Sequence, residues 1–183
     1  MTSNRVAEID GVRINQIQSV SDNRGSFNKF HPLSETEDSL DSVALSFNPI
    51  RGTVRGLHFQ VNPFAEEKLV TCIQGSIFDV IVDLRPSSIT FGKWTSFELN
   101  AANLLQVYLP KGIAHGFQTL IPNSIVHYCL TAKYAPDYAY VIEPFGDLDI
   151  VWPEKINGVS ERDKSGLTFS KAAQKYAASI GLS

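Results

Sequence analysis

Short β-type segments follow one another between about residues 43 and 143, and this pattern limits the folds open to the chain. Gly, Pro, Asn and Ser separate the segments at intervals of about ten residues. Helical periodicity is scarce in this region, and the segments are SVALSF, GTVRGLHF, KLVTCIQG, SIFDVIVDL, WTSFELN, LLQVYLP, HGFQTL, SIVHYCLT and YAYVIEP. Such a pattern is typical of antiparallel sandwiches and barrels. It predicts an all-β double-sheet jelly roll whose mouth can hold a ligand.

The segment KLVTCIQGSIFDVIVDLR is predicted to be a hairpin, because residues 74–76 (Gln-Gly-Ser) supply turn chemistry between two β-branched runs. In the second run, alternation puts Asp79 and Asp83 on one face. The opposite face carries apolar side chains, namely Phe78, Val80, Val82 and Leu84. One face is expected to pack in a core and the other to meet a pocket or solvent.

At 183 residues, the chain is expected to be a single domain. We expect an N-terminal arm of one or two strands over residues 1–40, with a turn at residues 22–26, followed by a barrel over about 41–153. The tail, residues 154–183, ends in the Ala-rich run LTFSKAAQKYAASIGLS. This run predicts a short C-terminal helix with Ser170 as its N-cap and Gly181 as its stop.

Composition narrows the possible partners and location. The net charge is −3, and the Lys and Arg residues are scattered, which disfavours a nucleic-acid surface. The N-terminus lacks the apolar core of a signal peptide, and no stretch of 18 apolar residues occurs, so no membrane partner and a cytoplasmic location are expected. Cys72 and Cys129 lie inside apolar runs, which predicts reduced, packed thiols and no disulfide.

Two of the four histidines, His58 in RGLHFQ and His115 in GIAHGF, stand beside glycine within β-type segments. Glycine in a strand often marks the close approach of a ligand or of another backbone. A lone histidine in a strand more often has a structural role with satisfied hydrogen bonds. Because two histidines occur in similar settings, a functional role and a structural role are equally expected.

Three polar residues of the β-type segments could also take part in catalysis, namely Arg55, Lys68 and Tyr128. A histidine, a lysine and a tyrosine in one concave site could abstract a proton beside a carbonyl, stabilise the enolate oxygen and return a proton. Taken singly, Lys68 could equally be a solvated charge and Tyr128 a core phenol. A metal site is disfavoured because His58 has no histidine two residues away and His115 is far in sequence from His127.

Six motifs, in this order and spacing, closely resemble the dTDP-4-dehydrorhamnose 3,5-epimerase family of nucleotide-sugar epimerases. They are RGLHFQ, EEKLV, GSIFDVIVDLR, TFGKW, LPKGIAHGF and DLDIVWP, and the resemblance covers about residues 22–165. It implies a cupin-type double-stranded β-helix jelly roll that forms a homodimer and works without a metal or cofactor. The implied reaction inverts C3, C5 or both in a nucleotide-linked 4-keto-6-deoxy sugar, as in deoxysugar and polysaccharide biosynthesis.

The resemblance also implies roles for individual residues. Four positions match the family's catalytic set: His58 as general base, Asp163 as its partner, Tyr128 as general acid and Lys68 as the group that stabilises the enolate oxygen. Six further positions are implied to bind the substrate, with Arg24 and Arg55 associated with the diphosphate: Arg24, Phe27, Arg55, Gln60, Asp79 and His115. Asp79 resembles a partner of a pocket histidine. His31 and His127 receive no role, and alternation places His127 on the outer face.

Three departures from the family pattern affect what the resemblance can specify. Lys29 replaces an acidic residue, residues 143–147 read EPFGD, and Cys129 follows Tyr128 in place of lysine. The nucleotide (dTDP, CDP or GDP), the sugar and the choice between C3 and C5 therefore stay open. Two other functions also stay open: a cupin ketoisomerase that moves the carbonyl between C4 and C3, and a sugar-nucleotide-binding protein without catalysis.

Overall fold

The computed structural model describes residues 8–30 and 36–182, so His31 lies outside the described residues. Each of the nine β-type segments forms a strand, which confirms the all-β prediction, although the last strand ends early, at Val141. The strands are β1 (Arg13–Gln16), β2 (Gln18–Asp22), β3 (Gly25–Lys29), β4 (Ser42–Asn48), β5 (Val54–Gln60), β6 (Lys68–Gln74), β7 (Ser76–Asp83), β8 (Trp94–Asn100), β9 (Leu105–Leu109), β10 (Ile113–Thr119), β11 (Ser124–Leu130) and β12 (Ala139–Val141). The helices are α1 (Glu161–Lys164) and α2 (Phe169–Ser179).

Two five-stranded antiparallel sheets form the jelly roll that the sequence predicts. The first has the strand order β1-β9-β6-β11-β4 and the second the order β12-β5-β10-β7-β8. Their inner faces share a core of apolar side chains, which includes Val70, Val107 and Val126 from the first sheet and Ile77, Ile81 and Phe117 from the second. Burial of this apolar surface is the main stabilising contribution to such a fold.

The outer face of the second sheet is also covered, because the C-terminal helix packs on it. Val80 and Val82 of β7 share a core cluster with Ala172 and Tyr176 of α2. The alternation predicted for β7 is therefore confirmed, and the apolar face lies under the helix. Asp79 and Asp83 lie on the other face and are fully buried as well.

The C-terminal helix is confirmed, but its predicted N-cap is wrong. The N-cap is Thr168, whose hydroxyl accepts a hydrogen bond from the backbone N–H of Lys171, while Ser170 lies within the first turn. Either side chain can cap a helix, so the sequence alone did not distinguish them. Gly181 follows the helix with a φ of +79°, as expected of a glycine stop.

The predicted hairpin over residues 68–85 is wrong, because β6 and β7 belong to different sheets. At Gly75 the chain crosses from one sheet to the other with a φ of +80°. A Cβ at this position would lie 2.4 Å from the Ser124 hydroxyl oxygen. A glycine turn at this position fits either a hairpin or a crossing between sheets. Only packing decides whether the two strands pair with each other or join different sheets.

The N-terminal region also differs from the expected arm of one or two strands. Its described part contains three strands, and β1 joins the first sheet beside β9. β2 and β3 form a separate hairpin that turns between Asp22 and Gly25, where the turn was predicted. In that turn, the backbone N–H of Arg24 donates to the Asp22 carboxylate. Among the described residues, no helix is both long and apolar enough to cross a membrane.

Candidate active site

A cavity of about 450 Å³ opens between the two sheets, and half of the predicted site residues line it. The predicted residues His58, Lys68, His115, Tyr128 and Arg55 line it together. The other lining residues are Ser42, Ala44, Ser46, Glu66, Gly116, Phe117, Leu130 and Tyr134. Residues that are far apart in the sequence thus meet at one concave site, which is the usual form of a small-molecule site.

Strand register explains why the two glycine-flanked histidines meet. His115 of β10 lies directly opposite His58 of β5 in the antiparallel pair. Directly opposite residues point to the same face of a sheet, so both imidazoles face the space between the sheets. Tyr128 belongs to β11 of the facing sheet, where its neighbour Ala44 also lines the cavity. The histidine and the tyrosine therefore lie on opposite walls.

A β-bulge in β5 adds Arg55 to the same face. Phe117 lies opposite Arg55 and His115 lies opposite His58, so β5 has one residue more than β10 between these two pairs. Strict alternation would have placed Arg55 and His58 on opposite faces. Gly56 adopts a φ of +110° in the bulge, and a Cβ there would lie 2.6 Å from the Cα of Gly116. The glycines beside both histidines thus permit the close approach of two backbones, as the sequence suggested.

His58 is paired with a buried carboxylate. Its Nε2 lies 2.8 Å from Oδ1 of Asp163, whose side chain is only 6% exposed while that of His58 is 44% exposed. An ionised carboxylate only accepts hydrogen bonds, so the imidazole donates from Nε2 and keeps Nδ1 free to accept a proton. The pair therefore has the orientation that a general base requires.

Helix α1 holds Asp163 in place. The side chain of Ser160 caps the helix by accepting the N–H of Asp163, and the backbone N–H of Gly56 donates to Asp163 Oδ2. Burial by itself raises the pKa of the Asp163 carboxyl, but the hydrogen bonds from His58, Gly56 and Ser160 outweigh burial and lower that pKa below its ordinary value. Asp163 is therefore ionised at neutral pH.

A second histidine–carboxylate pair joins His115, which lines the cavity, to Asp79 behind it. His115 Nε2 is 2.7 Å from Asp79 Oδ1, and both side chains are almost completely buried. The other oxygen of Asp79, Oδ2, has no hydrogen-bond partner among the described residues. The expected pairing of Asp79 with a pocket histidine is present in the structure.

Tyr128 lies edge-on to the His115 ring, with the ring centroids 5.9 Å apart. Burial raises the pKa of Tyr128 above its ordinary value, and the negative charge of Asp79 raises it further, against the opposing charge of Arg55. Tyr128 is therefore a neutral phenol at physiological pH and can donate a proton.

Among the described residues, the ammonium group of Lys68 has two acceptors. Nζ lies 3.2 Å from Oε1 of Glu66 and 3.4 Å from the backbone oxygen of His58. An ammonium group has three N–H donors, so one is left for another acceptor in the cavity. Sequence reasoning missed Glu66, although it stands two residues before Lys68 in EEKLV. It also missed Tyr134, which lines the cavity. Tyr134 stands in a polar loop, where nothing in the neighbouring sequence marks it as a site residue.

Three predicted binding residues lie elsewhere. Arg24 and Phe27 belong to the β2–β3 hairpin, none of whose described residues lines the His58 cavity of the same chain. Arg24 instead forms an exposed ion pair with Asp22. Gln60 uses its side chain for three hydrogen bonds to backbone groups at positions 64, 133 and 135. Its binding role stays a prediction.

The remaining sequence observations concern cysteines and His127. Cys72 and Cys129 are both free and buried, as predicted. Cys129, one of the departures, packs with Leu69 and Tyr108 outside the cavity. His127 is absent from the cavity lining and stacks on Phe30, with ring centroids 5.1 Å apart. Within the described ranges, no three His, Cys, Asp or Glu side chains are grouped so that they could hold a metal ion.

Comparison with known proteins confirms the resemblance that the motifs suggested. The profile of the family described as dTDP-4-dehydrorhamnose 3,5-epimerase matches residues 6–171. A dTDP-4-dehydrorhamnose 3,5-epimerase from Sinorhizobium fredii is 46% identical over 117 residues, which cover 62% of this chain and 60% of that protein. The enzyme of the same description from Escherichia coli is 34% identical over 89% of this chain and 86% of its own length.

Solved structures agree with this result. The crystal structure of dTDP-4-dehydrorhamnose 3,5-epimerase from Bacillus anthracis, with TDP and PPi bound, superposes with a TM-score of 0.83 at 35% identity and covers 89% of this chain and 98% of its own. A 3'-monoepimerase from Streptomyces bikiniensis, in complex with dTDP-quinovose, superposes with a TM-score of 0.81 at 28% identity, covering 95% of this chain and 89% of its own. The family match over residues 6–171 spans every residue that lines the cavity.

Proposed function

Because the chain belongs to the dTDP-4-dehydrorhamnose 3,5-epimerase family, we propose that it inverts C3, C5 or both of a dTDP-linked 4-keto-6-deoxy sugar. Enzymes of this kind are isomerases. The hydrogens on C3 and C5 are acidic because either carbanion is conjugated with the C4 carbonyl. Removal of a proton from one face and return of a proton to the other inverts the carbon.

The observation that carries this proposal is the placement of His58 and Tyr128 on opposite walls of one cavity. A sugar ring between the two sheets would have the imidazole on one face and the phenol on the other. His58, oriented by Asp163, would take the proton at Nδ1. The neutral phenol of Tyr128 would return a proton from the opposite side.

Lys68 is proposed to stabilise the intermediate. When the proton leaves, negative charge develops on the C4 oxygen, and an ammonium donor that is already fixed in place stabilises such a charge without the reorganisation that water needs. Lys68 lies on the same cavity wall as Tyr128 and is almost completely buried. His115, held by Asp79, adds a further hydrogen-bonding group near the same place.

The nucleotide is proposed to be dTDP. The bound TDP and dTDP-quinovose of the two solved relatives support this choice. Arg55 lines the cavity and can offer its planar guanidinium to a diphosphate. Whether C3, C5 or both are inverted is not decided by His58 and Tyr128, since the same acid and base serve at either carbon.

The test is incubation of the purified protein with dTDP-4-keto-6-deoxyglucose in heavy water, followed by NMR. We expect deuterium at C3, C5 or both, together with a product of inverted configuration. The carbon that gains the label identifies the regiochemistry. A product with a moved carbonyl would indicate a ketoisomerase, and absence of label with CDP- and GDP-linked analogues as well would contradict the proposed activity.

A homodimer, which the resemblance implies, is proposed to complete the site. Outward-facing side chains of the edge strand β4 form an exposed apolar strip, Val43, Leu45 and Phe47, and the last of these is 63% exposed. Phe27 on the hairpin is 65% exposed. A second copy that covers these surfaces would bury apolar area. Its hairpin could then bring Arg24 to the diphosphate end of the cavity.

The cytoplasmic location stays a prediction.

Mixed dimers test this arrangement. Subunits that carry Arg24→Ala and subunits that carry His58→Asn are co-expressed with different tags, and the heterodimers are isolated. If Arg24 acts in the partner's cavity, one of the two sites contains both native residues, and about half of the wild-type activity is expected. If Arg24 acts in its own cavity, both sites are defective, and the heterodimer would be no more active than the parent variants.

A further inference from the structure

The mechanism leaves one charged group of the cavity without a role, the carboxylate of Glu66. Its side chain is 11% exposed and lies in the loop that precedes β6. It lines the main cavity and also a smaller side cavity of about 220 Å³, which shares His58 and Tyr134 with the main one. A carboxylate in such a place is costly unless it is paired.

The partner of Glu66 is the lysine that is proposed to hold the enolate oxygen. Lys68 Nζ lies 3.2 Å from Glu66 Oε1, and the Lys68 side chain is 8% exposed. Within the part of the chain that the structure describes, its one other acceptor is the backbone oxygen of His58, at the longer distance of 3.4 Å. A lysine side chain has four rotatable bonds, so without a close acceptor its ammonium would not stay at one point.

We propose that Glu66 is a positioning residue, which fixes the ammonium of Lys68 so that its remaining N–H donor points at the developing oxyanion. Glu66 and the oxygen of His58 take two of the three donors, and the third is left for the substrate. The inference rests on the proposed function of Lys68. It adds that the lysine is held in place before substrate arrives, so that no reorganisation is needed during the reaction.

Kinetics of four proteins test this role: wild type, Glu66→Ala, Lys68→Met and the double variant. We expect Glu66→Ala to lower kcat by about tenfold to a hundredfold, as for a displaced catalytic group. KM should change little, and Glu66→Gln should recover part of kcat because its amide oxygen is still an acceptor. In the Lys68→Met background, Glu66→Ala should have almost no further effect on kcat. Equal losses in both backgrounds would mean that Glu66 acts independently of Lys68.

Asp38→Asn is the matched control, since it removes a lysine–carboxylate pair outside the cavity. Asp38 Oδ2 lies 2.6 Å from Lys111 Nζ, and both side chains are partly exposed. This variant should keep wild-type kcat. A loss of kcat similar to that of Glu66→Ala would show that any broken ion pair has this effect, and it would overturn the positioning role.

A measurement without substrate separates failure of this inference from failure of the proposed function. In protein labelled with ¹⁵N at lysine, ammonium protons that are buried and paired exchange slowly with water and give an observable signal. We expect one such signal that is absent in Lys68→Met, is lost or broadened in Glu66→Ala and persists in Asp38→Asn. An unchanged Lys68 signal in Glu66→Ala would overturn the proposal, even if no tested sugar were turned over.

Discussion

Replacement of His58 by alanine is expected to lower the rate of deuterium incorporation at both C3 and C5 by about a hundredfold to ten-thousandfold, the usual loss when a general base is removed. One imidazole serves both carbons in the proposed mechanism, so the losses at C3 and C5 should be parallel. The NMR exchange experiment in heavy water measures them directly. A variant that lost exchange at only one carbon would require a second base.

Asp163→Asn provides the companion measurement. The asparagine side chain fits the same space but lacks the carboxylate that accepts from His58 Nε2, and its N–H₂ group can force the imidazole to turn. We expect a smaller loss than for His58→Ala, with no further loss when the two changes are combined. Retained binding of dTDP by both variants shows that the cavity is intact. Full activity of Asp163→Asn would contradict the pairing role.

Replacement of Tyr128 by phenylalanine is expected to separate exchange from inversion. Formation of the inverted product should fall by about a hundredfold or more because the acid on the opposite wall is gone. His58 can still remove the proton and return one to the same face. Its side chain is 44% exposed, so it can exchange protons with solvent before it does so. Deuterium should therefore enter the unreacted sugar faster than the epimer appears.

Tyr176→Phe is the control for this experiment. Tyr176 is a buried tyrosine of α2 that packs under the second sheet and does not line the His58 cavity. The substitution removes one phenolic hydroxyl outside the cavity, so turnover should stay close to that of the wild type. Unchanged epimer formation in Tyr128→Phe would mean that another group, or water, supplies the second proton.

Much of the fold could be predicted from the sequence because it rests on local signals. Alternating apolar residues and regular turns specify strands wherever they occur, and each of the nine segments forms one. The errors arose where a local signal has two outcomes. Gly75 can close a hairpin or carry the chain to the other sheet, and both Thr168 and Ser170 can cap a helix. Long-range packing decides between these outcomes, and sequence windows do not contain it.

The candidate site shows the same division between what local sequence predicts and what long-range packing decides. The family resemblance predicted roles for His58, Tyr128, Lys68 and Asp163 from residue type and order. Glu66 was missed because a glutamate in a charged loop is ordinarily solvated, and only the fold shows that this one is buried against Lys68. Arg24 lies on a hairpin none of whose described residues lines the cavity of its own chain, so its binding role stays a prediction.

The sequence by itself determined the strands, the chemical groups and the family, since these depend on residue type and spacing. Only the tertiary structure decided which side chains lie on the same wall of the cavity. The bulge at Gly56 brings Arg55 to the same face as His58, and the register of β5 with β10 places His115 opposite His58. The side-chain period of a strand is two residues, so one inserted residue reverses the face of everything beyond it. That insertion is fixed by the contact of two glycine backbones, which lie 60 residues apart in the chain, at positions 56 and 116.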